Sequence, residues 1–288
     1  MRSIHTDLAC ELSKGASIRG IETEQYAQGQ TQITKITVQT PAAAQRLGKP
    51  MGHYYTLMHP SLCEKEPELV SDISLLIGQI LRELMPPQKK ERTVLILGLG
   101  NSAITPDALG SKTTQRVLVT RHAIENMPDA IDERLNSVCA IAPGVLGVTG
   151  LETGEVAQGI VQHIHPSCVI CIDSLAAMSL KRVLTTVQIA DTGICPGSGL
   201  NNPRRELTEH TLGIPVISIG IPLVVGVQSI LNDANAPVPQ DDDIWQNMVV
   251  TPKDIDEAVT NASCVLGMGI NLALQSPLTQ EEIASMML

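Results

Sequence analysis

Apolar residues along this chain fall into two rhythms. Short apolar runs at 94–97, 138–142 and 168–172, and the mostly apolar stretches 186–190 and 214–219, are each closed by glycine, proline or an acid. Runs of this kind read as strands buried on both faces. Other stretches repeat at helical spacing. Leu69, Ile73, Leu76, Ile77, Ile80, Leu81 and Leu84 predict a helix over 67–85, stopped by Pro86 and Pro87. Residues 154–165 and 175–183 are expected to be helical as well, and 31–40 and 53–58 to be strands. Thr251, Pro252 and Asp254 have the make-up of a helix start, ahead of an apolar face running from Ile255 to Leu272. Thr279 and Glu282 fit a capping box for a last short helix. Residues 1–30 hold no period, and 232–243 form an acidic, proline-containing loop. Alternating runs and helices imply an α/β fold with a mostly parallel central sheet and helices on both faces. With no internal repeat and no clear linker, the chain reads as one domain.

Composition then removes function classes. Among 288 residues, 20 are basic and 30 acidic, and aromatics make up 1%. A nucleic-acid binder needs a basic stripe or stacking platforms, so direct nucleic-acid binding is not expected. No run approaches the ~20 apolar residues that cross a bilayer, and the N-terminus lacks the apolar core of a signal peptide. A cytoplasmic protein without membrane attachment is the reading. The 7 scattered cysteines fit reduced thiols.

Several motifs compete for the chemistry. Gly98-Leu99-Gly100-Asn101-Ser102-Ala103 matches a dinucleotide fingerprint. The acid expected about 20 residues on, to hold a ribose, is missing, and Pro106 and Asp107 stand where a pyrophosphate would dock. Cys168 and Cys171 have zinc-like spacing, with His163 and His165 upstream, but a strand points residues three apart to opposite faces. No cofactor or metal ligand is assigned. Residues 193–199 nearly form a nucleophile elbow, yet Pro196 occupies a glycine position. Asp191-Thr192-Gly193 imitates the loop of all-β aspartic proteases, which bring two such loops together. What remains is three acids at run ends: Asp107, Asp173 and Asp191. If their strands are parallel, all three gather at one sheet edge. Two carboxylates sharing a site cannot both ionise easily, so one keeps a proton while the other activates water. That arrangement suits amide hydrolysis.

The blocks at 98–110 (GLGNSAITPDALG), 118–122, 142–153, 171–177 (CIDSLAA), 188–199 (QIADTGICPGSG), 212–222 and 248–256 are collinear with, and resemble, the germination protease family of spore-forming bacteria. The resemblance implies an endopeptidase that degrades small acid-soluble spore proteins in the spore core when spores germinate. It implies a zymogen that processes itself near the N-terminus, a homotetramer, and a fold similar to the hydrogenase maturation proteases. Two aspartates proposed as catalytic in the family match Asp107 and Asp173, and the acids at run ends add Asp191 as a candidate supporting acid. Residues 6–11 (Thr-Asp-Leu-Ala-Cys-Glu) resemble the family's substrate pattern, which predicts autoprocessing between Asp7 and Leu8. The expected domains are a propeptide at 1–7 and a single α/β protease domain at 8–288. The chain departs from the family in a shortened segment before Met248 and at Gly226, where an acid is expected. Two alternatives stay open: a metal-dependent hydrolase using the same acids with a histidine such as His122, and a non-catalytic binding relative.

Overall fold

The computed structural model describes residues 6–13, 18–64, 67–87, 93–200, 204–236 and 248–287. Among them lie nine strands: β1 (Ile21–Gln28), β2 (Thr31–Val38), β3 (Gly52–Met58), β4 (Val94–Gly98), β5 (Val138–Ile141), β6 (Cys168–Ala177), β7 (Thr186–Ala190), β8 (Val216–Gly226) and β9 (Val249–Val250). They join in one sheet of order β1-β2-β3-β7-β8-β6-β4-β5, with β9 beside β8. The α/β class holds, but the mostly parallel sheet does not. Only β5-β4, β4-β6 and β6-β8 are parallel; the pairings through β7, β3, β2, β1 and β9 are antiparallel. The reason lies in the connection after β6. A parallel return needs a dozen or more residues, and only 178–185 separate β6 from β7.

The same segment corrects a second expectation. Residues 175–183 are not a helix: β6 continues to Ala177, and a single 3-10 turn, Leu180–Arg182, follows. Leu175, Ala176 and Ala177 are apolar because a central strand is buried on both faces. The missed strand β1 is the converse case. It is an edge strand exposed almost throughout, so no apolar alternation marks it.

Helices cover both faces. Pro67–Leu84, Leu109–Thr114 and Ile255–Leu274 pack on one, over Ile170, Ile172, Ile189, Ile217 and Ile219. Gly269 brings two of them together, since a Cβ there would lie 2.7 Å from Ile77. On the other face, Leu8, Ala9 and the helix Pro41–Leu47 cover the half towards β2 and β3. Thr153–Ile164 and Glu209–Leu212 cover the half towards β4. Cys168 and Cys171 fall in clusters on opposite faces of β6, as strand geometry requires. The helix expected to start at Thr251 begins at Ile255 with Asp254 at its cap, while the Thr251 hydroxyl donates to the Leu223 carbonyl. Thr279 and Glu282 form the expected capping box. Gly226 closes β8, and 237–243 of the acidic loop lie outside the described residues. No helix among the described residues is long and apolar enough to cross a membrane.

Candidate active site

The loop after β4 is built to aim one carboxylate. Leu99 N–H donates to the Ile172 carbonyl at 2.8 Å and ties the strand end to β6. Gly100 follows at φ +94°, and a Cβ there would sit 2.0 Å from the Asp107 carbonyl oxygen. Only glycine accepts that backbone angle at that proximity. The chain then doubles back through the turn Thr105–Asp107, and Asn101 N–H donates to Asp107 Oδ2 at 2.8 Å. Desolvation raises the Asp107 pKa above the ordinary carboxylate value, opposed by the Asn101 N–H.

Asp173 lies within β6 and points away from the Pro67–Leu84 and Ile255–Leu274 helices. It is 6% exposed, and Ser174 N–H donates to its Oδ1 at 2.9 Å. Burial first, then the negative charges of Asp7 and Asp107, push its pKa well above the usual range. The Asp107 charge acts on Asp173 through space, and no hydrogen bond joins the two carboxylates, whose partners are the N–H groups of Asn101 and Ser174. The third acid beside them is Asp7.

Asp191 is elsewhere. Because β7 runs antiparallel to β8, its carboxyl end points to the opposite edge from that of β6, and the three-acid convergence fails. Asp191 instead accepts His53 N–H at 2.7 Å, with His53 Nδ1 2.7 Å from its other oxygen. His122 is exposed on the helix Arg121–Asn126.

Residues 6–11 pack against the sheet near Asp173, with Ala9–Leu12 as one helical turn. A groove of about 480 Å³ is lined by Thr6, Asp7, Lys49, Gln188, Ser198 and Gly220. Asp7 N–H donates to the Ala176 carbonyl at 3.0 Å, and its carboxylate accepts Ala176 N–H at 2.9 Å and the Ser198 hydroxyl at 2.8 Å. Gly199 makes room, since a Cβ there would meet Asp7 Oδ2 at 2.2 Å. Burial lowers the Lys49 pKa, against the pull of the Asp7 charge. Gln188 Nε2 donates to the Asp7 carbonyl at 2.8 Å, and its Oε1 accepts Ala9 N–H at 2.7 Å. Leu8 and Ala9 are fully buried. Glu11, also buried, accepts Met178 N–H at 2.7 Å, Ser179 N–H at 2.9 Å and the Thr6 hydroxyl, with Arg182 Nε 4.0 Å away.

Sequence reasoning missed Gln188, Ser198 and Arg182. Gln188 carried a signal: it is the one long polar side chain inside a run, Thr-Val-Gln-Ile-Ala, that is otherwise buried. Ser198 belonged to the discarded elbow at 193–199, where its hydroxyl holds a carboxylate instead of attacking a carbonyl.

A family model described as germination protease matches residues 4–238. A germination protease of Clostridium perfringens is 36% identical over 98% of each chain, and one of Clostridium tetani is 37% identical over 98% of this chain and 99% of its own. A germination protease of Bacillus cereus is 42% identical over 80% of this chain and 65% of its own.

Proposed function

The chain belongs to the germination protease family and is an endopeptidase of spore germination, and from that premise we propose how and on what it acts. It is a zymogen of aspartic type that cuts itself between Asp7 and Leu8, releasing 1–7, and then cleaves small acid-soluble spore proteins in the spore core as a homotetramer. The observation that supports this reading is the set of hydrogen bonds that hold residues 6–11, whose order Thr, acid, large apolar, Ala, any residue, Glu matches the family's substrate pattern, against Ala176, Met178, Ser179, Gln188 and Ser198.

In this reading Asp173 holds the shared proton. It is the more deeply buried acid and faces two negative neighbours. Asp107, half-buried and supported by the Asn101 N–H, is the ionised partner that takes a proton from water. Water then adds to the Asp7 carbonyl carbon while Asp173 donates towards the carbonyl oxygen. Asp107→Asn and Asp173→Asn should each fold and stop both self-processing and cleavage of a Thr-Glu-Ile-Ala-Ser-Glu peptide, with wild-type cleavage surviving exhaustive chelation. Near-normal turnover by either variant refutes the dyad.

A further inference from the structure

The strand register places Asp173 of β6, Gly220 of β8 and Gln188 of β7 in one row across the sheet. Residues in register point to the same face. With two strand spacings between them, the backbones of Asp173 and Gln188 stand roughly 10 Å apart. The residue between them is a glycine, and the Leu175 side chain fills the space above it: a Cβ on Gly220 would lie 2.7 Å from Leu175 Cγ. The Asp7–Leu8 bond begins at Asp7, which lines the groove together with Leu175, Gln188 and Gly220. Gln188 grips it from one side with both ends of its amide: the donor on the Asp7 carbonyl oxygen, the acceptor on the N–H of Ala9. A primary amide satisfies a peptide in both senses, and the two bonds fix the direction of the Asp7 carbonyl.

We propose that Gln188 is a catalytic residue: its Nε2 polarises the carbonyl of the bond to be cut and holds the oxyanion that forms there. The inference rests on the Asp7–Leu8 reading above. In the first step the water oxygen bonds to the Asp7 carbonyl carbon and its proton passes to the ionised carboxylate. The carbonyl π pair moves onto oxygen, where the Gln188 N–H stabilises the developing charge as a hydrogen-bond donor. In the second step the C–N bond breaks, its pair leaves on the Leu8 nitrogen, and a dyad proton follows it. A carbonyl oxygen has two lone pairs, so the Gln188 donor and the Asp173 proton do not compete. The Oε1 bond to Ala9 N–H keeps the amide from turning its oxygen towards the oxyanion. Donors preset for a developing oxyanion are each worth about 10²–10³ in kcat.

Self-processing of the full chain, followed by mass and N-terminal sequence, tests this with Gln188→Met, Gln188→Glu and Asp173→Asn beside the wild type. The peptide assay adds kcat and KM. Gln188→Met loses both bonds, whereas Gln188→Glu keeps the acceptor for Ala9 N–H and loses the donor. Both are expected to fold by circular dichroism and to lower kcat about 10²-fold or more with a much smaller change in KM. If Asp173→Asn stops processing and both Gln188 variants process within about threefold of wild type, Gln188 is not catalytic and the dyad stands. If the Gln188 variants fail and Asp173→Asn still processes, Gln188 stands and the dyad falls. A loss confined to KM reduces Gln188 to substrate binding and overturns the proposal. Wild-type cleavage at any bond other than Asp7–Leu8, or none, also overturns it, because the carbonyl Gln188 holds is then not the reacting one.

Discussion

Asp7 is tied to Ala176 from two directions: its backbone N–H donates to the Ala176 carbonyl at 3.0 Å, and its carboxylate accepts the Ala176 N–H at 2.9 Å. The register of β6 against β8 shifts between Leu175 and Ala176, where these backbone groups meet Asp7. The strand that carries Asp173 thus also holds the Asp7 side chain, in keeping with an acid before the proposed cut. Ser198 adds a hydroxyl donor at 2.8 Å to the other carboxylate oxygen.

Asp7→Ala is therefore expected to slow self-processing about 10- to 100-fold, since hydrogen bonds to a charged group contribute about 1.5–3 kcal/mol. Ser198→Ala removes one such donor and should slow it about 10-fold. A time course of the purified chain by mass spectrometry measures both. Processing of Ser198→Ala at the wild-type rate would remove the serine from recognition.

How much of this was legible depended on whether a residue's role is local. Asp107 is set by its own loop, and the Gly-Leu-Gly turn and Pro106 announce it. Asp173 follows a buried run, and the run is what desolvates it. Asp191 follows an equally buried run, and nothing local separates the two; the difference is the direction of β7, fixed by the short link after β6. Gln188 is a non-local case too. Its partners are Asp7 and Ala9, some 180 residues away in the chain, and a glutamine within a strand has no meaning until that segment lies over it.

Raised carboxyl pKa values carry a stability signature with a definite sign. Folded Asp173 binds its proton more tightly than the unfolded chain does, so between the ordinary value near 4 and its own raised value the folded state binds more protons. Stability contributed by this group is present below pH ~4 and is lost as pH rises through that window. Asp173→Asn keeps an acceptor for Ser174 N–H and removes the charge. Its Tm should exceed that of the wild type at pH 7, by about 2–4 °C for each ~1 kcal/mol of relief in a chain of this order of size. The gap should close near pH 4. Thermal melts across pH 4–8, with Asp107→Asn as background so that neither chain self-processes, measure it; a gap that widens towards acid would contradict the protonated assignment.

Gly100→Ala separates backbone strain from collision. Gly213 has φ +74° with nothing within 4 Å of where a Cβ would stand, so Gly213→Ala should cost about 1 kcal/mol, the ordinary left-handed penalty. Gly100 adds the 2.0 Å approach to the Asp107 carbonyl. Its alanine variant should lose about 2 kcal/mol or more and, because the loop must open, should cut peptide turnover at least 10-fold while Gly213→Ala leaves it unchanged. Denaturant midpoints and kcat give the comparison. Equal turnover in the two variants would mean that the Gly100 turn does not set the position of Asp107.

The last contact of residues 6–11 decides between two ways of reading an acid. Glu11 accepts two backbone N–H groups at 2.7 and 2.9 Å, whereas the Arg182 guanidinium stands at 4.0 Å. At that distance the ion pair is the weaker partner, and the N–H groups of Met178 and Ser179 do most of the holding. Glu11→Gln, which keeps one acceptor oxygen and puts a donor where the second N–H points, should slow self-processing about 10-fold, in keeping with a buried donor left without its acceptor at about 1–3 kcal/mol. Arg182→Gln should slow it about threefold or less, and less still in high salt, where the wild-type pair is screened. Processing half-lives of both variants at low and high ionic strength separate the terms. If Arg182→Gln is the slower of the two, charge and not the backbone pocket reads Glu11, and recognition of this acid would depend on the turn Leu180–Arg182 that replaced the expected helix.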